Sequence, residues 1–412
     1  MANVTPIKGA AVIGQSGGPT CVINQSLVGA VLEMRKSKAI TEIYGALHGV
    51  SGMLSESFID LRKEDLKTLK AVAETPSSAL GSVRKKVSPE ECRAIFKTFQ
   101  KYNVRYFFYI GGNDTAETAH ILNEMAKEEG YELRAFHIPK TIDNDLMVTD
   151  HCPGFGSAAK FVAQAFMGDD LDNRSLPGIK INVVMGRHAG FLTAASVLGR
   201  TKKDDGPHLV YVPERAFDVD KFIADVDAVY SRIGRCIVAV SEGVCDAAGE
   251  MILHKFARSD EVDSHGNIQL SGTGALGDVL ANLVKQRLGQ KYQKLRVRAD
   301  TFGYLQRCYP GVVSKVDQKE AFEAGRMAVR MALGDDVDGS VAIKRLGGSK
   351  YAVKYVRTPL SSVAKETTHL PDAFINAAGN DVTKAFVKYA LPLAGELPKV
   401  ALLKGVKVKK KS

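Results

Sequence analysis

Tyr106-Phe107-Phe108-Tyr109-Ile110 runs into Gly111-Gly112-Asn113-Asp114-Thr115, and the reading of this stretch decides the fold. The apolar run, counted from Arg105, has the composition of a strand, and the glycines that follow end it. Thr115–Glu129 then shows helical spacing and stops at Gly130. Leu133–Ile138 is a second apolar run, and it breaks into Pro139-Lys140-Thr141-Ile142-Asp143-Asn144-Asp145. Strand, helix and strand in this order make a βαβ unit and therefore a parallel sheet. Outward from it the alternation repeats. Gly9–Ile13, Ile181–Met185, Leu209–Val212 and Cys236–Ser241 read as strands, and Val22–Met34 as a helix. Asp218 caps a run in which Phe222, Ile223, Val226, Val229 and Tyr230 recur at helical spacing. The expected class is α/β with mainly parallel sheets.

Open α/β sheets bind ligands beyond the carboxyl ends of their strands. Here those ends carry glycines and polar groups. Gly14-Gln15-Ser16-Gly17-Gly18-Pro19-Thr20 precedes the Val22–Met34 helix, whose free N–H groups would suit a phosphate. The same loop also reads as a tight connection. Asn113 or Asp114 reads equally as a helix cap, and Asp143 and Asp145 as the residues of an Asx turn. A turn has no need of Lys140 and Thr141, however, and these add a cation and a hydroxyl where two carboxylates already stand. Met185-Gly186-Arg187-His188-Ala189-Gly190 and Ser241-Glu242-Gly243 bring an arginine and a carboxylate to two further strand ends. Arg298, Tyr304 and Arg307 supply guanidinium and hydroxyl donors suited to a sugar phosphate. Gly272-Thr273-Gly274-Ala275-Leu276-Gly277 matches a dinucleotide fingerprint, with Asp300 near the distance of a ribose-binding acid. It follows a short polar stretch rather than an apolar strand, so a turn opening the helix Asp278–Leu288 is expected instead.

At 412 residues the chain exceeds one hydrophobic core, which leads to an expectation of two lobes of ~150–200 residues each. The boundaries expected are 1–150, completed by 306–412, and 151–305. With 45% hydrophobic and 25% charged residues and no apolar run near the ~20 of a membrane span, no membrane partner is expected. The amino terminus lacks the apolar core of a signal peptide, so a cytoplasmic protein is expected. The six cysteines include no CxxC pair, which fits reduced thiols better than a zinc site or a disulfide framework. The net charge of +10 has no interleaved aromatics and gathers partly at Lys404, Lys407, Lys409, Lys410 and Lys411. The tail reads as a solvated terminus, and the remaining excess as attraction for a small polyanion rather than nucleic acid.

The motifs GQSGGPT, GSVRKK (Gly81–Lys86), GGNDT, PKTIDND, MGRHAGF, SEG and RADTFGYLQR, in this order over roughly residues 8–310, resemble the phosphofructokinase family. They are closer to its pyrophosphate-dependent branch. The resemblance implies two Rossmann-like lobes with the active site in the cleft between them: a diphosphate lobe from 1–150 and a sugar-phosphate lobe from 151–305. It implies phosphoryl transfer from pyrophosphate to the 1-hydroxyl of fructose 6-phosphate, with Mg2+, in a homo-oligomer.

Position by position, it implies that Asp143 is the base and that Thr141 touches the transferred group. Gly18 and Arg84 would lie by the donor, Met185, Gly186, Arg187 and Glu242 would hold the sugar, and Tyr304 and Arg307 would grip its 6-phosphate. Arg298 would reach that phosphate from a neighbouring subunit. ATP-dependent relatives carry glycine where this chain has Asp114 and Lys140. A carboxylate at Asp114 would repel an α-phosphate, and Lys140 would neutralise the transferring or leaving group. Many relatives have aspartate at the position of Asn113, a better partner for a hard cation than an amide. The metal set is therefore expected among Asn113, Asp114 and Asp145. The alternatives are an ATP-dependent phosphofructokinase and a non-catalytic regulatory subunit of the same fold. Sedoheptulose phosphate stays open as a second acceptor.

Overall fold

The computed structural model describes residues 6–256, 275–334, 338–348, 350–364, 366–403 and 408. Gly272–Gly274 of the fingerprint-like stretch and the lysines of the basic tail lie outside them. Two sheets organise the chain. The larger contains β1 (Gly9–Gln15), β2 (Ile40–Ala46), β3 (Phe58–Asp60), β4 (Val104–Gly111) and β5 (Arg134–Pro139). The smaller contains β6 (Ile179–Val184), β7 (Leu209–Tyr211), β8 (Cys236–Ser241) and β9 (Val297–Thr301), and β10 (Asp338–Arg345) and β11 (Val353–Thr358) return to the larger. The orders are β11-β10-β5-β4-β1-β2-β3 and β7-β8-β6-β9. All pairs are parallel except β2–β3 and β10–β11 at the edges of the larger sheet.

Both faces of the larger sheet are covered, which explains why β4 is apolar apart from Arg105 near its start. Tyr106, Phe108 and Ile110 point to one side, where Ile23, Leu27, Ala324 and Ala328 pack on them. Phe107 and Tyr109 point to the other, against Phe96, Phe99, Ala119 and Leu122. The carboxyl-terminal stretch divides. β10, β11 and the helix Lys315–Leu333 join the larger sheet, whereas Phe386, Ala390 and Leu393 of the helix Lys384–Ala394 pack with Phe155, Phe166, Val184 and Ile237 beside the smaller one.

Three local expectations change. Asn113 and Asp114 do not cap their helix: it begins at Asn113, Gly112 is its cap residue without a side-chain bond, and Asp114 sits in the first turn. Both polar side chains are thereby spared from capping. The helix after Gly14–Thr20 begins at Ile23 with a buried first turn, so the glycine loop itself, not the helix end, faces the open space. The helix predicted from Asp278 already runs at Ala275 and ends at Leu288 as expected. A Cβ on its Gly277 would stand 3.1 Å from that of Ala299, so this glycine permits close packing on the smaller sheet.

Candidate active site

In the larger sheet β1 leads to β2 on one side while β4 pairs on its other side, which makes the gap beyond the ends of β1 and β4 a topological switch point. The register brings the loops level. Gly111 stands opposite Pro139, and the Lys140 N–H donates to the Gly111 carbonyl at 2.9 Å, so the two polar loops leave the sheet side by side. On the smaller sheet Val184 stands opposite Ser241, and the Glu242 N–H donates to the Val184 carbonyl at 2.9 Å. Met185 and Glu242 therefore emerge together. A Cβ on Gly243 would collide with the Arg187 carbonyl, so glycine is what lets these two loops touch.

The ends of both sheets face one cleft of about 560 Å³. Gly18, Arg84, Asn113, Asp114, Lys140, Thr141, Asp143, Asp145, Met185, Arg187, Glu242 and Arg307 all line it. Gly186, Arg298 and Tyr304 do not. Gly186 is buried behind the wall, where its N–H donates to Glu242 Oε1 at 3.4 Å. Arg298 is exposed on β9 and, among the described residues, bonds only to the neighbouring Val297 carbonyl at 3.2 Å. Tyr304 is 51% exposed, and the Arg307 guanidinium lies 4.7 Å from its ring centre.

Lys140 is 3% exposed, and its ammonium donates to the Gly18 carbonyl at 2.7 Å. The donor loop is closed by further bonds: the Ser82 hydroxyl donates to the Gly17 carbonyl at 2.6 Å, and the Gly17 N–H to the Val83 carbonyl at 3.1 Å. Any Cβ on Gly18 would stand 3.0 Å from Arg307 Nε, so glycine admits that guanidinium to the loop. Burial, with Arg307 and Arg84 nearby, lowers the Lys140 pKa to about 8. The concentration of cations shows that this end of the cleft is built for a polyanion.

The carboxylates show the opposite response. Burial raises Asp143 above the ordinary carboxylate range, while Arg307, Lys140, Arg84 and His188 pull it back. Burial and the charge of Asp143 push Asp145 up to about 7, with Thr141 bonding its side chain. The Asp143 N–H donates to Thr141 Oγ1 at 3.1 Å. A half-buried carboxylate facing three cations and a histidine is an arrangement for proton transfer next to phosphate. The His188 pKa is itself lowered by burial and by Arg187.

Sequence reasoning missed the segment that crosses the cleft. Asn113 Nδ2 donates to Thr367 Oγ1 at 3.2 Å, and the Thr368 N–H donates to the Asp145 carbonyl at 2.7 Å. His369 Nδ1 lies 2.8 Å from the His188 carbonyl, and the Leu370 N–H donates to Glu214 Oε1 at 2.7 Å. This strap thus ties loops of both sheets together from a part of the chain without a motif, and only its threonine and histidine content hints at polar work. Among the described residues, no group of three or more His, Cys, Asp or Glu side chains is arranged to hold a metal by itself. Among the described residues, Asn113 Oδ1 is buried without a hydrogen-bond partner.

The phosphofructokinase family description matches residues 10–332. The chain is 58% identical over 388 residues to the pyrophosphate–fructose 6-phosphate 1-phosphotransferase of Rhodospirillum rubrum, covering 94% of this chain and 95% of the relative. It is 39% identical to the protein of the same name from Xanthomonas campestris, with 96% of each covered. The crystal structure of pyrophosphate-dependent phosphofructokinase from Nitrosospira multiformis superposes with a TM-score of 0.83 at 33% identity, covering 97% of this chain and 95% of that one. The cleft geometry and these likenesses agree, and the chain belongs to the phosphofructokinase family.

Proposed function

We propose that the protein transfers a phosphoryl group from pyrophosphate to the 1-hydroxyl of fructose 6-phosphate, giving fructose 1,6-bisphosphate and phosphate, in either direction. The observation that carries the choice of donor is the pairing of Lys140, buried against the Gly18 loop, with Asp114 at the mouth of the same cleft. A compact diphosphate fits between Gly18, Arg84 and Lys140, whereas the carboxylate of Asp114 repels the further phosphate of a nucleotide. In the forward direction Asp143 accepts the proton of the sugar hydroxyl while its oxygen attacks the near phosphorus. The bridging P–O bond breaks, and phosphate leaves with its charge facing Lys140. Thr141 touches the group in transit.

On this reading the donor binds on the side of residues 1–150 and the sugar phosphate on the side of 151–305, held by Met185, Arg187, Glu242 and Arg307. Exposed and off the cleft, Arg298 and Tyr304 are available to an adjoining subunit, which supports a homo-oligomer. Mg2+ is the proposed metal. It binds through one or two carboxylates, with substrate phosphates and waters completing its shell. Asp114, Asp145 and the unpartnered Asn113 Oδ1 suit such an incomplete protein set. Bound there, the ion would neutralise phosphate charge.

The test is an NADH-linked assay of fructose 1,6-bisphosphate formation with fructose 6-phosphate and Mg2+, comparing pyrophosphate with ATP. Turnover at least 100-fold higher with pyrophosphate is expected. Preference for ATP, or activity with neither donor, overturns the reading. Asp143→Asn should lower kcat by ~10²–10⁴-fold with KM for the sugar phosphate changed little, because a general base acts mainly in the transition state.

A further inference from the structure

The proposed base Asp143 and its neighbour Asp145 flank Asn144, a residue without glycine's freedom that nevertheless holds φ at 62°. That conformation is uncommon for an L side chain, asparagine adopting it more readily than most, and here bonds to the side chain help to hold it. Asn144 is 4% exposed, and both ends of its amide are engaged. The Cys152 N–H donates to Oδ1 at 2.8 Å, and Nδ2 donates to the Tyr389 hydroxyl at 2.7 Å. The proton assignment follows from the partners. A backbone N–H only donates, so Oδ1 is the acceptor and the amide nitrogen must donate to Tyr389. The Tyr389 proton then goes to the Asp150 carbonyl at 2.8 Å. The Tyr389 ring is fixed in turn: the Arg345 guanidinium lies 4.4 Å from its centre, Arg345 Nη2 donates to the Tyr389 carbonyl at 2.6 Å, and Phe155, Phe191, Phe374 and Phe386 surround it.

We infer that Tyr389, on the helix Lys384–Ala394, is a positioning residue that acts through Asn144 to hold the Asp143 carboxylate in its catalytic orientation. The inference rests on the proposed role of Asp143. Its residue lies well beyond the 10–332 stretch that matches the family description, so it assigns catalytic work to a part of the chain that carries no motif. A misplacement of about 1 Å at a reacting group is enough to lose ~10²-fold in rate. The hydroxyl bond is one of two holding the amide, so a partial loss is expected.

The experiment compares Tyr389→Phe, Asn144→Ala, Asn144→Gly and the Tyr389→Phe/Asn144→Ala double variant in the full chain, with pyrophosphate, fructose 6-phosphate and Mg2+. Tyr389→Phe keeps the ring contacts and should lower kcat about tenfold, with both KM values changed less than twofold and the melting temperature changed by a few degrees at most. Asn144→Gly relieves the backbone strain but removes the anchor, and should lose as much kcat as Asn144→Ala. The double variant should lose no more than the worse single one, because residues acting through one bond are not additive. Leu393→Val on the same helix, at a buried position outside the ring cluster around Tyr389, serves as the structural control, with melting temperature lowered and kcat retained. Wild-type kcat in Tyr389→Phe overturns the inference. So does recovery in Asn144→Gly, additive losses in the double variant, or an equal kcat loss in Leu393→Val. If Tyr389→Phe does not fold, the comparison of Asn144→Gly with Asn144→Ala decides alone. Absence of activity in the unmodified protein would instead refute the proposed function, so the two failures are distinct.

Discussion

The Lys140 ammonium donates a 2.7 Å hydrogen bond to the Gly18 carbonyl, so the loop after β5 is fastened to the loop after β1 by the very charge that faces the donor. With a pKa of about 8 in the free protein, that charge is present below pH 8 and fades above it. kcat/KM for pyrophosphate, which reports groups of the free enzyme, should therefore fall as pH rises through about 8. Lys140→Met should remove this limb together with ~10²–10³-fold of kcat, the usual effect of losing one preorganised donor to developing charge. A pH series on both proteins is the measurement; an unchanged alkaline limb in Lys140→Met would assign it to another group.

Asp145 makes a prediction about stability. Its pKa is raised to about 7 in the folded protein, against an ordinary value near 4 in the unfolded chain. Between these values the folded form binds the extra proton, so this group makes the protein less stable as pH rises from about 4 to about 7. Asp145→Asn removes the ionisable group. The variant should gain on the wild type through that window, by no more than about 1.4 kcal/mol per pH unit, and hold a constant advantage above it. Denaturant unfolding of the ligand-free proteins at several pH values checks this, and a constant difference from pH 4 to 8 would refute the assignment.

How far the sequence could be read follows from where each signal lies. β4 and β5 were legible because parallel strands buried on both faces are largely apolar, despite Arg105 in one and Arg134 and His137 in the other, and their loops could be located because glycine and proline end such runs. β9 was not: Val297-Arg298-Ala299-Asp300-Thr301 is an edge strand, and its charged residues face outward. β10 pairs with β5 across about two hundred residues of chain, and no local pattern announces a partner at that separation. The cleft residues of the motifs were legible as chemistry, since cations and carboxylates at strand ends have no packing reason to be there. Thr367 and Tyr389 were not, because a threonine in a loop and a tyrosine on an apolar helix are ordinary residues until the fold brings them to Asn113 and Asn144.

Donor choice should be separable from catalysis. Asp114 is exposed at the cleft mouth in the first turn of its helix, so Asp114→Gly removes charge without emptying a packed site. It should let ATP bind or react detectably while pyrophosphate turnover persists. Direct titration with ATP and the assay with each donor check this. Donor preference unchanged in Asp114→Gly, Lys140→Gly and the double variant would place specificity elsewhere.

Arg298 offers the sharpest test of assembly. Among the described residues it is exposed on an edge strand of the smaller sheet, bonds only to its neighbour's carbonyl, and does not line the cleft that Arg307 enters from the same segment. A guanidinium so placed serves a sugar phosphate only if that phosphate belongs to an adjoining subunit. Arg298→Ala and Asp143→Asn should each be nearly inactive as pure proteins. Hybrids formed by mixing them should regain part of the activity, because some interfaces then pair an intact Asp143 with an intact Arg298 from the other chain. The hybrids must be verified, by mass or by differential tagging, before activity is compared with the mean of the parents. Activity no higher than that mean, or an active species that sediments as a monomer, would show that Arg298 works within its own chain or not at all.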